Sequence, residues 1–251
     1  MNMVKQLILF NIRLLTFRTS QQEFQSFANA HLAFGLFCTW LVGIGRWWDD
    51  PQAHLLQHLG LGSVIYVFIL SGLIWVVVLP LRPKSWSYRH VLTFVSLTSL
   101  PALLYAIPVE RFLSVDAAID MNIWFLGIVA LWRVALFIFY LKRHAQLGWF
   151  TTSTAVFLPL AAIVSSLAAL NLHRVVFDVM GGLRDQERSA HEGEYTIIVV
   201  LTVLSFLVLL PLLVSYVICI FYAHRRVQKD SPLLADPDLE PFQSVPDGNQ
   251  T

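Results

Sequence analysis

The sequence predicts an all-α polytopic membrane bundle of six transmembrane helices. Six apolar runs recur along its 251 residues, each close to the ~20 residues that a helix needs to cross about 30 Å of hydrocarbon. Lys and Arg gather in alternate loops, as expected where short basic loops resist translocation. Hydrophobic residues make up 57% of the chain and charged residues 13%, against roughly 25% charged in an ordinary soluble domain.

Residues 1–28 are expected to form a cytoplasmic or interfacial segment. Within it, residues 4–17 are apolar but punctuated by Lys5, Asn11 and Arg13, a pattern suited to a helix lying in the membrane interface. Gln21, Gln22, Glu23 and Asn29 come next without a small-residue cleavage pattern, so no removable signal peptide is expected. The membrane domain occupies residues 29–222, with spans read at 29–45, 59–81, 90–107, 121–141, 150–172 and 195–222. Pro101, Pro159 and Pro211 fall inside the third, fifth and sixth spans. Each removes a backbone donor and is expected to bend its helix. Residues 223–251 form a cytoplasmic tail. From Asp230 onward its four prolines and its carboxylates leave too little apolar surface to offset the entropy of ordering.

Counting basic residues loop by loop gives the orientation. One side carries Lys5, Arg13, Arg18, Arg82, Lys84, Arg89, Lys142, Arg143, Arg225, Arg226 and Lys229. The other carries only Arg46, Arg111, Arg174, Arg184 and Arg188, and the last three share a loop with Asp178, Asp185, Glu187, Glu192 and Glu194. The first side is therefore cytoplasmic, with both termini on it and the chain in a cell inner (plasma) membrane. A net charge of +1 offers no general attraction for nucleic acid. Cys38 and Cys219 lie within spans, where a thiol behaves as a small apolar group, so no disulfide framework is implied.

Arg133 is the sharpest single residue. It sits mid-way along the fourth span, where a central Arg costs ~2.5 to 3.5 kcal/mol on the translocon scale, and none of the six spans contains Asp or Glu. Two readings carry equal weight. In one, Arg133 faces the bundle interior and holds an anion, a lipid head group or a water-lined cavity. In the other, its five donors serve carbonyls freed at a proline or hydroxyls such as those of Ser96, Ser99, Ser165 and Ser166.

A weaker polar cluster falls on the outer face. His54 and His58 have i, i+4 spacing, Asp49 and Asp50 precede them, and His173 ends the fifth span. Such a set suits a shared metal only with further ligand motifs, and neither HExxH nor paired CxxC is present, so no metal is expected. Arg46-Trp47-Trp48-Asp49-Asp50-Pro51 reads as a head-group anchor followed by a turn. The other histidines, His31, His90, His144 and His224, fall near the cytoplasmic face. No nucleophile elbow, phosphate-binding loop, dinucleotide fingerprint or zincin motif occurs, so neither catalysis nor a cofactor is expected.

Ser99-Leu100-Pro101 leading to Ala106-Ile107-Pro108 resembles the span of Yip-family membrane proteins that carries a small-residue-Leu-Pro step and ends near a second proline. Trp132, Lys142, Arg143, Gly148 and Pro159 are similar to that family's Trp-bearing helix, basic Gly-bearing turn and proline-bearing helix. The resemblance covers about half of the chain. It implies a helical membrane protein, and for eukaryotic members an interaction with Rab GTPases in vesicle trafficking. The family has five spans where six are read here, and its eukaryotic members begin with a long soluble region. A bacterial inner-membrane relative is what the resemblance implies.

The expected function is a non-enzymatic scaffold or regulator of membrane organisation, its partners the lipid bilayer and a membrane protein or second copy of the chain. A small-molecule or ion transporter with a site near Arg133 is the alternative. A membrane-embedded enzyme built on Asp49, Asp50, His54, His58 and His173 comes third. Reporter fusions should show activity after Arg226 only with cytoplasmic reporters, and near Glu192 only with periplasmic ones; the opposite pattern at both points reverses the orientation.

Overall fold

The computed structural model describes residues 3–48, 55–170 and 192–229. Among them every regular element is helical and there is no strand. The α-helices are α1 (Met3–Leu15), α2 (Gln21–Gln25), α3 (Asn29–Trp47), α4 (Leu55–His58), α5 (Leu61–Val78), α6 (Tyr88–Leu97), α7 (Val115–Arg143), α8 (Trp149–Ala169) and α9 (Glu192–Lys229). Short 3-10 segments at Leu79–Leu81, Leu100–Ala106 and Val109–Arg111 complete the described regular structure.

Four segments are long and apolar enough to cross a membrane: Leu61–Leu81, Asp120–Arg143, Trp149–Ser166 and Val199–Arg225. The two other expected spans take different forms, for local reasons. α3 is long enough at 19 residues but dilutes its apolar run with Asn29, His31 and Arg46. The third run never forms one α-helix, because Pro101 stands at the start of the 3-10 segment that follows α6. Pro159 and Pro211, by contrast, lie inside continuous helices.

Pro101 has a specific structural cost. The carbonyl four residues before a helical proline has no amide to receive, and hydrocarbon supplies no water to replace it. That carbonyl is Leu97 O, and Asn11 Nδ2 from α1 donates to it at 3.0 Å across 86 residues of sequence. Asn11 is only 2% exposed. The polar residue that interrupts the apolar pattern of the N-terminal helix thus joins that helix to the bundle. Trp132 Nε1 adds a second tie, donating at 3.0 Å to Leu15 O, a carbonyl at the end of α1 that no helical amide serves.

The N-terminal segment consequently shares the main core. Phe10, Leu14, Phe24 and Phe27 belong to the same buried cluster as Val91, Val95, Leu136 and Tyr140. α2 is fixed by a capping box in which the Ser20 amide donates to Glu23 Oε2 at 2.8 Å and the Glu23 amide donates to Ser20 Oγ at 3.3 Å. Glu23 also pairs with Arg13 of α1 at 2.7 Å. Met3, Val4, Ile8 and Ile12 on the other side of α1 are exposed, so the helix turns one apolar face inward and one outward.

α3 and the α6/3-10 segment run parallel. Phe27, just before α3, lies beside His90 near the start of α6, their ring centres 5.9 Å apart. Midway along, Thr39 Oγ1 lies 3.1 Å from Ser99 Oγ, and at the far end Trp48 Nε1 donates to Ala106 O at 3.1 Å. α5 runs the other way, since Trp86 Nε1 donates to Trp75 O and Tyr88 Oη to Phe68 O. Tyr216 of α9 donates at 2.7 Å to Val77 O, so carbonyls near the C-terminus of α5 receive aromatic donors both from α9 and from the loop before α6.

Glycine allows the closest approaches. A Cβ on Gly35 would lie 2.5 Å from Ser96 Oγ, and one on Gly43 would lie 2.6 Å from Gly60 O and 2.9 Å from Gly60 Cα. Gly60 itself has φ +67, a left-handed conformation that favours glycine. Small residues at such crossings are how membrane helices gain packing energy where lipid removes the hydrophobic drive between them. Cys38 and Cys219 are buried free thiols.

A paired substitution tests this packing. Gly43→Ala should lower stability in detergent by about 1–3 kcal/mol, since backbone rather than a flexible side chain must yield. Gly62→Ala, where a Cβ meets nothing within 4 Å, should leave stability unchanged or slightly raised. Equal effects of the two, read as shifts of the thermal unfolding midpoint, would refute the close crossing.

Candidate functional site

Two groups of polar and aromatic side chains lie toward opposite ends of the bundle. The first gathers at the end of α3, on the side of the bundle that also carries mid-span Arg133, the residue that the sequence singles out. Arg133 is half-buried and forms no hydrogen bond or ion pair among the described residues. The hydroxyls considered as its partners are otherwise placed. Ser96 Oγ donates to Thr93 O and Ser99 Oγ to Ser96 O, at 3.0 and 2.7 Å, while Ser165 Oγ is buried without a hydrogen bond.

Arg133 lies instead on the face of α7 that packs toward the 3-10 segment carrying Tyr105. The elements explain the convergence. Val129 of α7 packs with Val42 of α3 and with Ala102, Leu104 and Tyr105 of the 3-10 segment. Arg133 follows Val129 by four residues and so shares its face. Arg46 enters from the end of α3, its guanidinium 5.5 Å from the Tyr105 ring centre and 5.3 Å from that of Trp47. Farther out, Arg111 lies 4.8 Å over Trp48. Arg46 and Trp47 were legible as an interfacial anchor, whereas the part played by Tyr105 was not, because only the fold brings its ring beside Arg46.

Of the weak outer cluster, only His58 is described: it is exposed at the end of α4. Asp49, Asp50, His54 and His173 lie outside the described residues, as does the tail from Asp230. No group of three or more His, Cys, Asp or Glu placed to hold a metal occurs among the described residues.

The opposite end gathers three of the four histidines assigned to one face by sequence. His90 and His144 have ring centres 5.3 Å apart, and His31 and His90 both lie beside Phe27. His144 stacks on Tyr140 at 5.0 Å, and Tyr140 stacks in turn on Phe94 at 4.1 Å. His90 Nδ1 is 2.9 Å from Ser87 Oγ, and His31 Nδ1 accepts from the Ala28 amide at 3.2 Å. His224, the fourth, is exposed on α9 with Nδ1 near Ile220 O.

His144 is 1% exposed, and neither ring nitrogen has a hydrogen-bond partner. Burial is the main reason that its pKa falls from 6.5 to about 4, with the neighbouring His90 adding to the effect and the backbone of Ser85 opposing it. The Ser85 backbone acts from outside hydrogen-bonding geometry, since both nitrogens remain unpartnered. The i, i+4 spacing of Tyr140 and His144 was the sequence signal for this stack.

No family model matches the chain, and comparison with curated proteins and with solved structures gives no match. Function has to be argued from the arrangement itself.

The buried imidazole makes a pH prediction. A base whose pKa is lower folded than unfolded binds its proton preferentially in the unfolded state. Stability from this source is complete above pH 6.5 and is lost as pH falls toward about 4. The whole loss amounts to about 3 kcal/mol. His144→Phe, which keeps a stacking ring, should flatten the detergent unfolding profile across that window; an unchanged profile would show that His144 is not the responsible group.

Proposed function

We propose that this chain is a non-enzymatic scaffold or regulator of membrane organisation: an inner-membrane protein that crosses the bilayer six times, with both ends cytoplasmic. On this reading α3 and the α6/3-10 pair complete the six crossings alongside the four long apolar helices. The Yip resemblance, carried by Ser99-Leu100-Pro101, Trp132 and Pro159, belongs to the same proposal.

The observation that carries it is how the interior polar groups are used. Thr39 Oγ1 donates to Gly35 O, Ser71 Oγ to Val67 O, Thr93 Oγ1 to Arg89 O and Ser96 Oγ to Thr93 O, all within their own helices. Glycine-mediated contact brings the backbones of α3 and α6 together beside them. In α3, α5 and α6 these hydroxyls serve carbonyls of their own helices beside glycine-packed crossings, which supports a structural bundle over a hydrated path for solutes.

A transporter is the second reading, and Arg133 favours it, because a mid-span charge without a protein counter-charge is a common mark of a substrate pathway. Reconstitution separates the two. Vesicles containing the protein should hold proton and potassium gradients as long as empty vesicles do. Faster decay that Arg133→Leu abolishes would replace the scaffold with a transporter.

A further inference from the structure

We propose that α1 is a one-sided membrane wedge: its outward flank of Val4, Ile8 and Ile12 lies among the acyl chains of a single leaflet and draws the chain to curved membrane. The inference rests on the proposed role in membrane organisation and gives that role a mechanism.

α1 presents three faces. Leu7, Phe10, Asn11 and Leu14 are buried against the bundle. Val4, Ile8 and Ile12 recur at every fourth position on the next flank and are 56%, 45% and 51% exposed. Lys5 borders that flank, and Gln6 and Arg13 take the remaining one together with Leu9. A helix with water on both outer flanks would carry polar groups on both, whereas one outer flank here is apolar along its whole length.

The ties of α1 to the bundle set its depth. His90 and His144 mark one end of the bundle. Asn11 reaches Leu97 O, seven residues along α6 from His90, or about 10 Å at the helical rise. Leu15 O receives Trp132 Nε1, eleven residues before Arg143 and about 16 Å along α7. Trp132 belongs to Asp120–Arg143, one of the segments long and apolar enough to cross a membrane, and is itself exposed at the bundle perimeter. A helix fastened at that depth has hydrocarbon beside its outer apolar flank.

The insertion is one-sided. With 13 residues, about 20 Å, α1 is too short to reach the opposite face of the bilayer. Asn11, Leu15 and the edge contact of Phe10 with Phe27 hold it to the bundle, so the area it adds is confined to one leaflet. Shallow insertion of this kind is sensitive to curvature, because the outer leaflet of a curved membrane offers more room between its head groups.

Two measurements test the wedge, and both use Gln6→Cys, since the natural thiols Cys38 and Cys219 are buried. In vesicles of phosphatidylcholine with brominated acyl chains, a fluorophore on Ile8→Cys should be quenched several-fold more than one on Gln6→Cys. Equal quenching places the flank in water, and shielding of Ile8→Cys from both brominated chains and aqueous iodide places it under a second copy; either overturns the proposal. For curvature, a membrane-impermeant dye on Gln6→Cys marks only copies with α1 on the outer leaflet of a giant vesicle of phosphatidylcholine and phosphatidylglycerol. On tubes drawn outward from it the dye should be enriched about twofold over a lipid marker, ~0.4 kcal/mol in partition. Adding Ile8→Gln and Ile12→Gln should abolish the enrichment; if that variant does not incorporate, Ile12→Gln alone should lower it. No enrichment of the parent, or enrichment that survives the substitutions, overturns the wedge, while retention of ion gradients by the same vesicles reports separately on the scaffold reading.

Discussion

One carbonyl constrains the arrangement more than any other group. Leu97 O loses its helical donor because Pro101 has no amide hydrogen, and a bilayer offers no water in exchange. Asn11 supplies the donor. Because that asparagine belongs to α1, satisfying the carbonyl fixes the N-terminal helix against α6 and brings Phe10, Leu14, Phe24 and Phe27 into the common core. The same proline converts the chain to a 3-10 segment, whose tighter winding sets the position of Tyr105 relative to α3 and α7.

Small residues set the remaining geometry. Without side chains at Gly35 and Gly43, α3 approaches α6 on one side and the turn before α5 on another. Its far end then delivers Arg46 to Tyr105, and its near end places His31 beside Phe10 and Phe27. The bundle thus acquires two unlike ends: one with guanidinium groups over aromatic rings, one with imidazoles buried among them. The second stores a pH-dependent term in stability, because His144 is buried without a hydrogen bond.

How much of this was legible in the sequence depends on the range of the interaction. Average hydropathy locates α5, α7, α8 and α9 well, since a membrane helix of about 20 apolar residues declares itself locally. The third run was apolar too, but its form depends on one proline, and hydropathy does not distinguish an α-helix from a 3-10 segment. Arg133 stood out for its cost, while its neighbour Tyr105 did not, because the two are joined only by the packing of Val129 on Ala102 and Val42. Asn11 looked like a flaw in an interfacial helix. Its meaning became clear only with a partner 86 residues away.

The most direct test of this account is a double-mutant cycle on the proline and its substitute donor, measured as unfolding free energy in detergent. In the natural chain Asn11→Leu should cost about 1–3 kcal/mol, the range for leaving a buried acceptor unpaired. In a Pro101→Ala background, where residue 101 regains an amide for Leu97 O, the same change should cost far less, giving a coupling of about 1 kcal/mol or more. Strictly additive effects would contradict the account, showing that Asn11 does not stand in for the donor that Pro101 removes.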